Sequence, residues 1–276
     1  MSGGIAKQLD GVLTSNLADI CYNIQRHDWD WLNVIDGNER TGKSNNALWL
    51  AKFASDAGLK FDWEGMSHVF LKEKHLHEKL IGIPNNSVVI IDEGGENLFS
   101  RTSMRGGNIK MVQTLMAYAA KNIFLIICIP NWRWIDVYIR EARVRSVLHS
   151  FSVPKWEWDS QEKKWYMVRE RGFYSFYSRR RIVGMNQEQG FNKGFKKLEP
   201  NFSGKIPFFG DVYKNEWAAY RDKKMSYLAA REAAPKERLR REELNESAGS
   251  EFAPGIANVA PLRKRVAPML PNLPRI

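Results

Sequence analysis

Val34-Ile35-Asp36-Gly37-Asn38-Glu39-Arg40-Thr41-Gly42-Lys43-Ser44 decides the fold. It reads as a short apolar strand, then Gly-x-x-x-x-Gly-Lys-Ser, then the helical apolar run Ala47, Leu48, Leu50, Ala51 and Ala54. A strand before and a helix after are the context in which that spacing makes a phosphate-binding loop. Gly37 and Gly42 permit backbone conformations that turn the N–H groups of Asn38, Glu39, Arg40 and Thr41 toward one point. The helix that follows adds its positive N-terminal end. On this basis Lys43 reaches the β- and γ-phosphates of ATP, and the Ser44 hydroxyl ligates Mg²⁺.

A second motif follows about 50 residues downstream, the usual order for a nucleotide site. Ser87-Val88-Val89-Ile90-Ile91-Asp92-Glu93 is a run of β-branched residues ending in two acids. Such a run suits a parallel strand buried on both faces. Its carboxyl end is where an open α/β sheet carries its ligands. Asp92 is the expected metal carboxylate, and Glu93 is placed to polarise an attacking water. Ile123-Phe124-Leu125-Ile126-Ile127-Cys128-Ile129 is another buried strand, ending at Pro130-Asn131. Asn131 is a candidate γ-phosphate sensor; ordinary turn chemistry explains it as well. Arg133, Arg140, Arg143 and Arg145 follow, and one of them could act in trans on a neighbour's nucleotide.

Before the loop, Leu9, Val12, Leu13, Leu17 and Ile20 recur at helical spacing. Residues 1–31 read as a helical adaptor, with Trp29 and Trp31 either packing at the sheet edge or stacking on a base. Residues 32–153 read as the core. Phe99 to Asn108 is polar, glycine-rich and basic, and Arg101 or Arg105 could contact phosphate.

Residues 154–246 read as a basic extension. Trp156-Glu157-Trp158 and Trp165 to Arg171 flank a polar turn too short for a crossover, so the pair is an antiparallel hairpin, with its second strand stopping at Gly172. The aromatic run from Phe173 closes in Arg179-Arg180-Arg181, a candidate polyanion contact. Residues 184–212 read as loop, Tyr213 to Ala234 as a helix, and 247–276 as a disordered tail.

The 276 residues carry a net charge of +11. Residues 1–150 hold 17 Lys/Arg and 16 Asp/Glu, and residues 151–276 hold 25 and 15. A near-neutral first half beside a basic second half fits a nucleotide-handling core joined to a polyanion-facing extension. Two cysteines outside any C-x-x-C pair give neither a disulfide framework nor a zinc site. They suggest a reducing compartment, the cytoplasm of the cell or, for a viral protein, of its host. No apolar run is long enough to span a bilayer.

The phosphate loop, the acid pair after a buried strand, and a further buried strand ending in a polar residue resemble the additional-strand, catalytic-glutamate P-loop ATPases. The resemblance covers residues 32–153. It implies an α/β fold: a P-loop NTPase core with a mainly parallel sheet flanked by helices, here carrying a C-terminal β-hairpin and helical basic extension. It also implies Mg-ATP hydrolysis, with Lys43, Arg40 and Glu93 as catalytic groups, Ser44 and Asp92 at the metal, and often a homo-oligomeric ring. Arg40 looks like the arginine found inside the loop of viral DNA-packaging motors of the terminase type. The compact core is similar to zonular-occludens-toxin-like and DNA-translocase ATPases of phages, viruses and plasmids. Expected partners are DNA, other copies of the chain, and a portal or capsid. Few residues follow the core compared with a terminase carrying a nuclease domain. The expectation is an ATP-hydrolysing motor that packages or translocates viral or plasmid DNA. An ATP-dependent assembly switch and a nucleoside or nucleotide kinase are the alternatives.

Overall fold

The computed structural model of the chain describes residues 8–71, 76–92, 115, 118–137, 139–187, 199–230 and 233. Residues 1–227 form one compact unit and 228–276 a second; the account below concerns the first.

Strand β1 (Trp31–Asp36) lies inside a seven-stranded sheet. Its neighbours are β4 (Phe124–Cys128) on one side and β5 (Val144–Asp159) on the other, both parallel to it. Beyond β4 come β3 (Val88–Asp92) and β2 (Val69–Leu71), also parallel. Beyond β5 come β6 (Lys164–Ser178) and β7 (Phe202–Lys205), both antiparallel. The order is β2-β3-β4-β1-β5-β6-β7. An extra strand, β4, therefore separates the loop-bearing strand β1 from the acid-bearing strand β3.

The apolar runs form buried strands because both sheet faces are covered. Along β4, Phe124, Ile126 and Cys128 enter one core, and Leu125 and Ile127 enter the other. The first core is closed by α1 (Gly11–Arg26), which buries Leu13, Leu17, Ile20, Cys21 and Ile24, and by α2 (Lys43–Asp56). Asp10 starts α1 by accepting from the Val12 and Leu13 N–H groups at 2.9 and 3.1 Å. The second core takes Leu80 from α3 (Leu76–Ile81) and Ile182 from α4 (Arg179–Gln187). A short helix, α5 (Phe209–Val212), and a helix over 214–230 follow β7.

Two local expectations are corrected, and one pair of alternatives is decided. The first hairpin strand is not confined to Trp156–Trp158, and the second does not stop at Gly172. β5 runs unbroken from Val144 to Asp159, and β6 passes through Gly172. Phe151 and Val153 lie two apart, whereas their partners Phe173 and Glu170 lie three apart. The extra β6 residue forms a bulge, and Gly172 accommodates it at φ +91°. Residues 184–212 contain β7 and α5 as well as loop. Trp31 packs against the core and donates its indole N–H to Ser146 Oγ at 2.9 Å. Among the described residues, no helix is long and apolar enough to cross a membrane.

Candidate active site at the carboxyl edge of the sheet

The loop Gly37–Ser44 leaves β1 at the sheet edge where β3 ends. Gly37 has φ +137°, and a Cβ there would lie 2.0 Å from the Ser150 carbonyl of β5. Only glycine lets the loop pass that close. Thr41 is buried and donates to the Asn38 carbonyl at 2.9 Å, which closes the loop on itself. Asn38, Glu39 and Arg40 are exposed along its outer rim. Gly42, at φ +100°, occupies the N-cap of α2 and offers no capping side chain. The first amides of α2 are thus not claimed by a capping side chain.

Lys43 Nζ donates to the carbonyls of Gly37 and Asn38 at 2.8 and 2.7 Å, which holds its ammonium inside the loop. Burial lowers its pKa from the usual lysine value. Ser44 Oγ donates to Asp92 Oδ2 at 2.9 Å, joining the start of α2 to the end of β3. A hydroxyl and a carboxylate are hard oxygen donors of the kind Mg²⁺ takes, with waters and phosphate oxygens completing the shell. Ser44 and Asp92 fit such an ion. Among the described residues there is no cluster of three or more His, Cys, Asp or Glu that could hold a metal by itself.

Asp92 is also gripped from far along the chain. Tyr220, on the 214–230 helix, donates its hydroxyl to Asp92 Oδ2, and Lys224 Nζ lies 3.2 Å from the same oxygen. Burial, then the Asp92 carboxylate, raises the Tyr220 phenol far above its usual value, so it remains a donor. Lys223 Nζ bonds the Met66 carbonyl at 2.6 Å and fixes the helix alongside. The same region is tied to α2 twice. Asn45 accepts from the Phe209 N–H at 2.7 Å and donates to the Pro207 carbonyl at 3.0 Å, and Trp49 donates to that carbonyl at 2.8 Å.

Asp36, the residue before Gly37, is a second buried carboxylate. It receives the Trp132 N–H at 3.3 Å and lies 2.8 Å from His149 Nδ1. Burial raises its pKa, and the His149 ring draws it partway back. It links the end of β1, the segment after β4, and β5.

Asn131 is exposed, and its Oδ1 accepts from the Arg133 N–H at 3.0 Å, capping the turn Trp132–Trp134. The turn chemistry is what the structure assigns to that side chain. Arg140 is 8% exposed with its guanidinium 5.3 Å from the Trp132 ring centre, and Arg143 pairs with Asp30. Both are committed inside this chain. Arg179 donates to the carbonyls of Val144 at 2.8 Å, Arg140 at 3.3 Å and Glu141. It closes the π-helical turn Ile139–Arg143 and is not held out for a polyanion, whereas Arg180 and Arg181 are exposed. Glu93, Arg101 and Arg105 lie outside the described residues.

Sequence inspection did not single out Asp36, His149, Tyr220 or Lys224. Tyr220 and Lys224 carry one faint signal, an i, i+4 spacing on a helix. Nothing in that spacing names Asp92 as the partner.

The strand order with β4 between β1 and β3, and the loop wrapped between β1 and α2, define the class: this is the fold of the additional-strand P-loop NTPases. No family model matches the chain, and no curated protein matches it. Solved structures similar to it include the genome packaging NTPase B204 of Sulfolobus turreted icosahedral virus 2 in complex with ATP-gammaS. That structure is 10% identical with a TM-score of 0.38, over 54% of this chain and 92% of B204. The N-terminal domain of zonular occludens toxin from Neisseria meningitidis is 18% identical with a TM-score of 0.39, over 67% of this chain and 98% of that domain. The FIGL-1 AAA domain in complex with ADP is 18% identical with a TM-score of 0.36, over 51% of this chain and 52% of that one.

Proposed function

We propose that the chain binds and hydrolyses Mg-ATP at the Gly37–Ser44 loop and uses the cycle to move DNA. The observation that carries the first part is the convergence of Lys43, Ser44 and Asp92 at one sheet edge, with Ser44 Oγ 2.9 Å from Asp92 Oδ2. The loop amides and Lys43 take the phosphates, Lys43 exchanging its bonds to Gly37 and Asn38 for phosphate oxygens. Ser44 and Asp92 hold Mg²⁺, whose charge offsets that on the phosphate oxygens. Glu93, next to Asp92 in sequence, orients the attacking water. Arg40, exposed at the loop rim, reaches toward the nucleotide from outside.

Support for DNA as the partner is the basic second half of the chain, with 25 Lys/Arg against 15 Asp/Glu. A homo-oligomeric ring on a portal or capsid would place each nucleotide between neighbouring copies. The contacts of Tyr220 and Lys224 with Asp92 favour a second reading, an assembly switch in which Mg²⁺ arriving with ATP would compete with those two donors for that carboxylate.

The test is ATP hydrolysis by the purified protein with and without single- and double-stranded DNA, beside Glu93→Gln. Stimulation by DNA that Glu93→Gln abolishes is the expected result. Hydrolysis indifferent to every DNA overturns the motor. Nucleotide binding without hydrolysis leaves the switch in its place.

A further inference from the structure

The hairpin of β5 and β6 extends past the body of the sheet as a two-stranded arm over 153–171, and its two faces differ. Residues directly opposite in an antiparallel pair share a face. Trp158 lies opposite Trp165, Trp156 opposite Met167, and Pro154 opposite Arg169. One face therefore carries three indoles, a thioether and a guanidinium, without a carboxylate among these six positions. The other face pairs Asp159 with Lys164, Glu157 with Tyr166, Lys155 with Val168 and Val153 with Glu170. Its charges answer one another: Lys155 Nζ lies 3.2 Å from Glu157, and Glu170 pairs with Lys205.

The indole face stays open to solvent. Trp156 is 63% exposed, Trp165 61%, Met167 56% and Trp158 50%. Large apolar side chains gathered on one exposed face mark an interaction surface. What fits it is set by its chemistry. Planar indoles without adjacent acids accept flat π systems, and Arg169 beside them accepts anions. A strand of unpaired nucleotides supplies both in register, bases for the indoles and phosphates for the arginine.

We propose that this arm is a binding surface for single-stranded polynucleotide, with Trp156, Trp158 and Trp165 as stacking platforms and Arg169 as a phosphate contact. The proposal deepens the DNA-motor reading and rests on it for the choice of polymer. Gly172 N–H reaches the Thr41 carbonyl at 3.4 Å, Asn46 bonds Ser150 Oγ at 3.0 Å, and the Ser150 carbonyl abuts Gly37. These contacts join the root of the arm to the phosphate loop and to α2.

The experiment is fluorescence anisotropy of a labelled 20-mer of deoxythymidine, without nucleotide, with wild type, Trp156→Ala, Trp165→Ala and Arg169→Ala. Tyr22→Ala, which removes a 59% exposed aromatic outside the arm, serves as control. Melting temperatures and sedimentation of each protein are measured in parallel. Each lost indole is expected to weaken binding about 5- to 150-fold, with Tyr22→Ala and all melting temperatures unchanged. Arm variants that bind the 20-mer as wild type does overturn the arm while leaving the DNA-motor reading intact. Binding to duplex alone does the same. Arm variants that alter only the oligomeric state make the face a contact between copies and overturn the proposal. A wild type that binds no DNA and hydrolyses ATP without regard to it overturns both.

Discussion

Tyr220 donates its hydroxyl to the Asp92 carboxylate from 128 residues away. The acid that ends β3 is thereby satisfied by three groups from two distant parts of the chain: Ser44, Tyr220 and Lys224. Asp92 is only 3% exposed, so each donor offsets part of the cost of burying a carboxylate.

Tyr220→Phe keeps the ring, which lies 5.6 Å from the Trp217 ring, and deletes the donor. A buried bond to a charged group contributes about 1.5–3 kcal/mol, so the variant is expected to lose that much in urea unfolding. Lys224 keeps 27% of its side chain exposed, and Lys224→Ala is expected to cost less, about 0.5–1 kcal/mol. Equal unfolding midpoints for wild type and Tyr220→Phe would show that the hydroxyl does not reach the carboxylate in solution.

Asp36 gives a pH signature of defined sign. Burial holds its folded pKa above the unfolded value near 3.8. A group raised in this way contributes stability that is complete below its unfolded pKa and is lost as pH rises through its folded pKa. Asp36→Asn keeps an acceptor for the Trp132 N–H and removes the titration. The stability of wild type minus that of Asp36→Asn should therefore fall as pH climbs from about 3.5 toward neutrality. Paired urea titrations read this difference, and a difference that rises with pH contradicts the buried, raised carboxyl.

Gly172 tests whether the arm is anchored as described. A Cβ there would lie 2.3 Å from the Ile206 carbonyl, at φ +91°. Gly172→Ala places an L-residue in left-handed backbone at about 1–2 kcal/mol, and it must also push residue 206 away from β6. At roughly 2–4 °C per kcal/mol for a unit of this size, melting should fall by several degrees. Wild-type melting would mean that β6 does not pass residue 206 at this distance.

The parts visible in sequence are those whose signal is local. Val88 to Ile91 and Phe124 to Cys128 announce buried parallel strands because every residue is apolar, and α2 follows Gly-Lys-Ser with its apolar run intact. The hidden parts depend on pairing. Gly172 looks like a terminator, since a glycine between strand-like runs usually turns the chain; here the partner strand β5 continues past it, and the glycine absorbs a bulge. β7 is four residues, Phe-Ser-Gly-Lys, too short and too small to show a period. Tyr220, Lys224 and His149 meet their carboxylates only through tertiary packing, so neither spacing nor composition could assign them.

Arg179 separates a structural arginine from an electrostatic one within a single triplet. Its guanidinium serves the carbonyls of Arg140, Glu141 and Val144, where the π-helical turn hands over to β5. Removing it strands partly buried acceptors, at a cost of about 1–3 kcal/mol. Arg179→Ala should therefore lower the unfolding midpoint. Arg180→Ala and Arg181→Ala, at exposed positions on α4, should leave it within about 0.5 kcal/mol of wild type. Under the proposed DNA function, salt-dependent affinity should respond in the opposite order, because of these three arginines only Arg180 and Arg181 are exposed. If Arg179→Ala melts as wild type does and Arg180→Ala does not, the roles drawn from the carbonyl contacts are reversed.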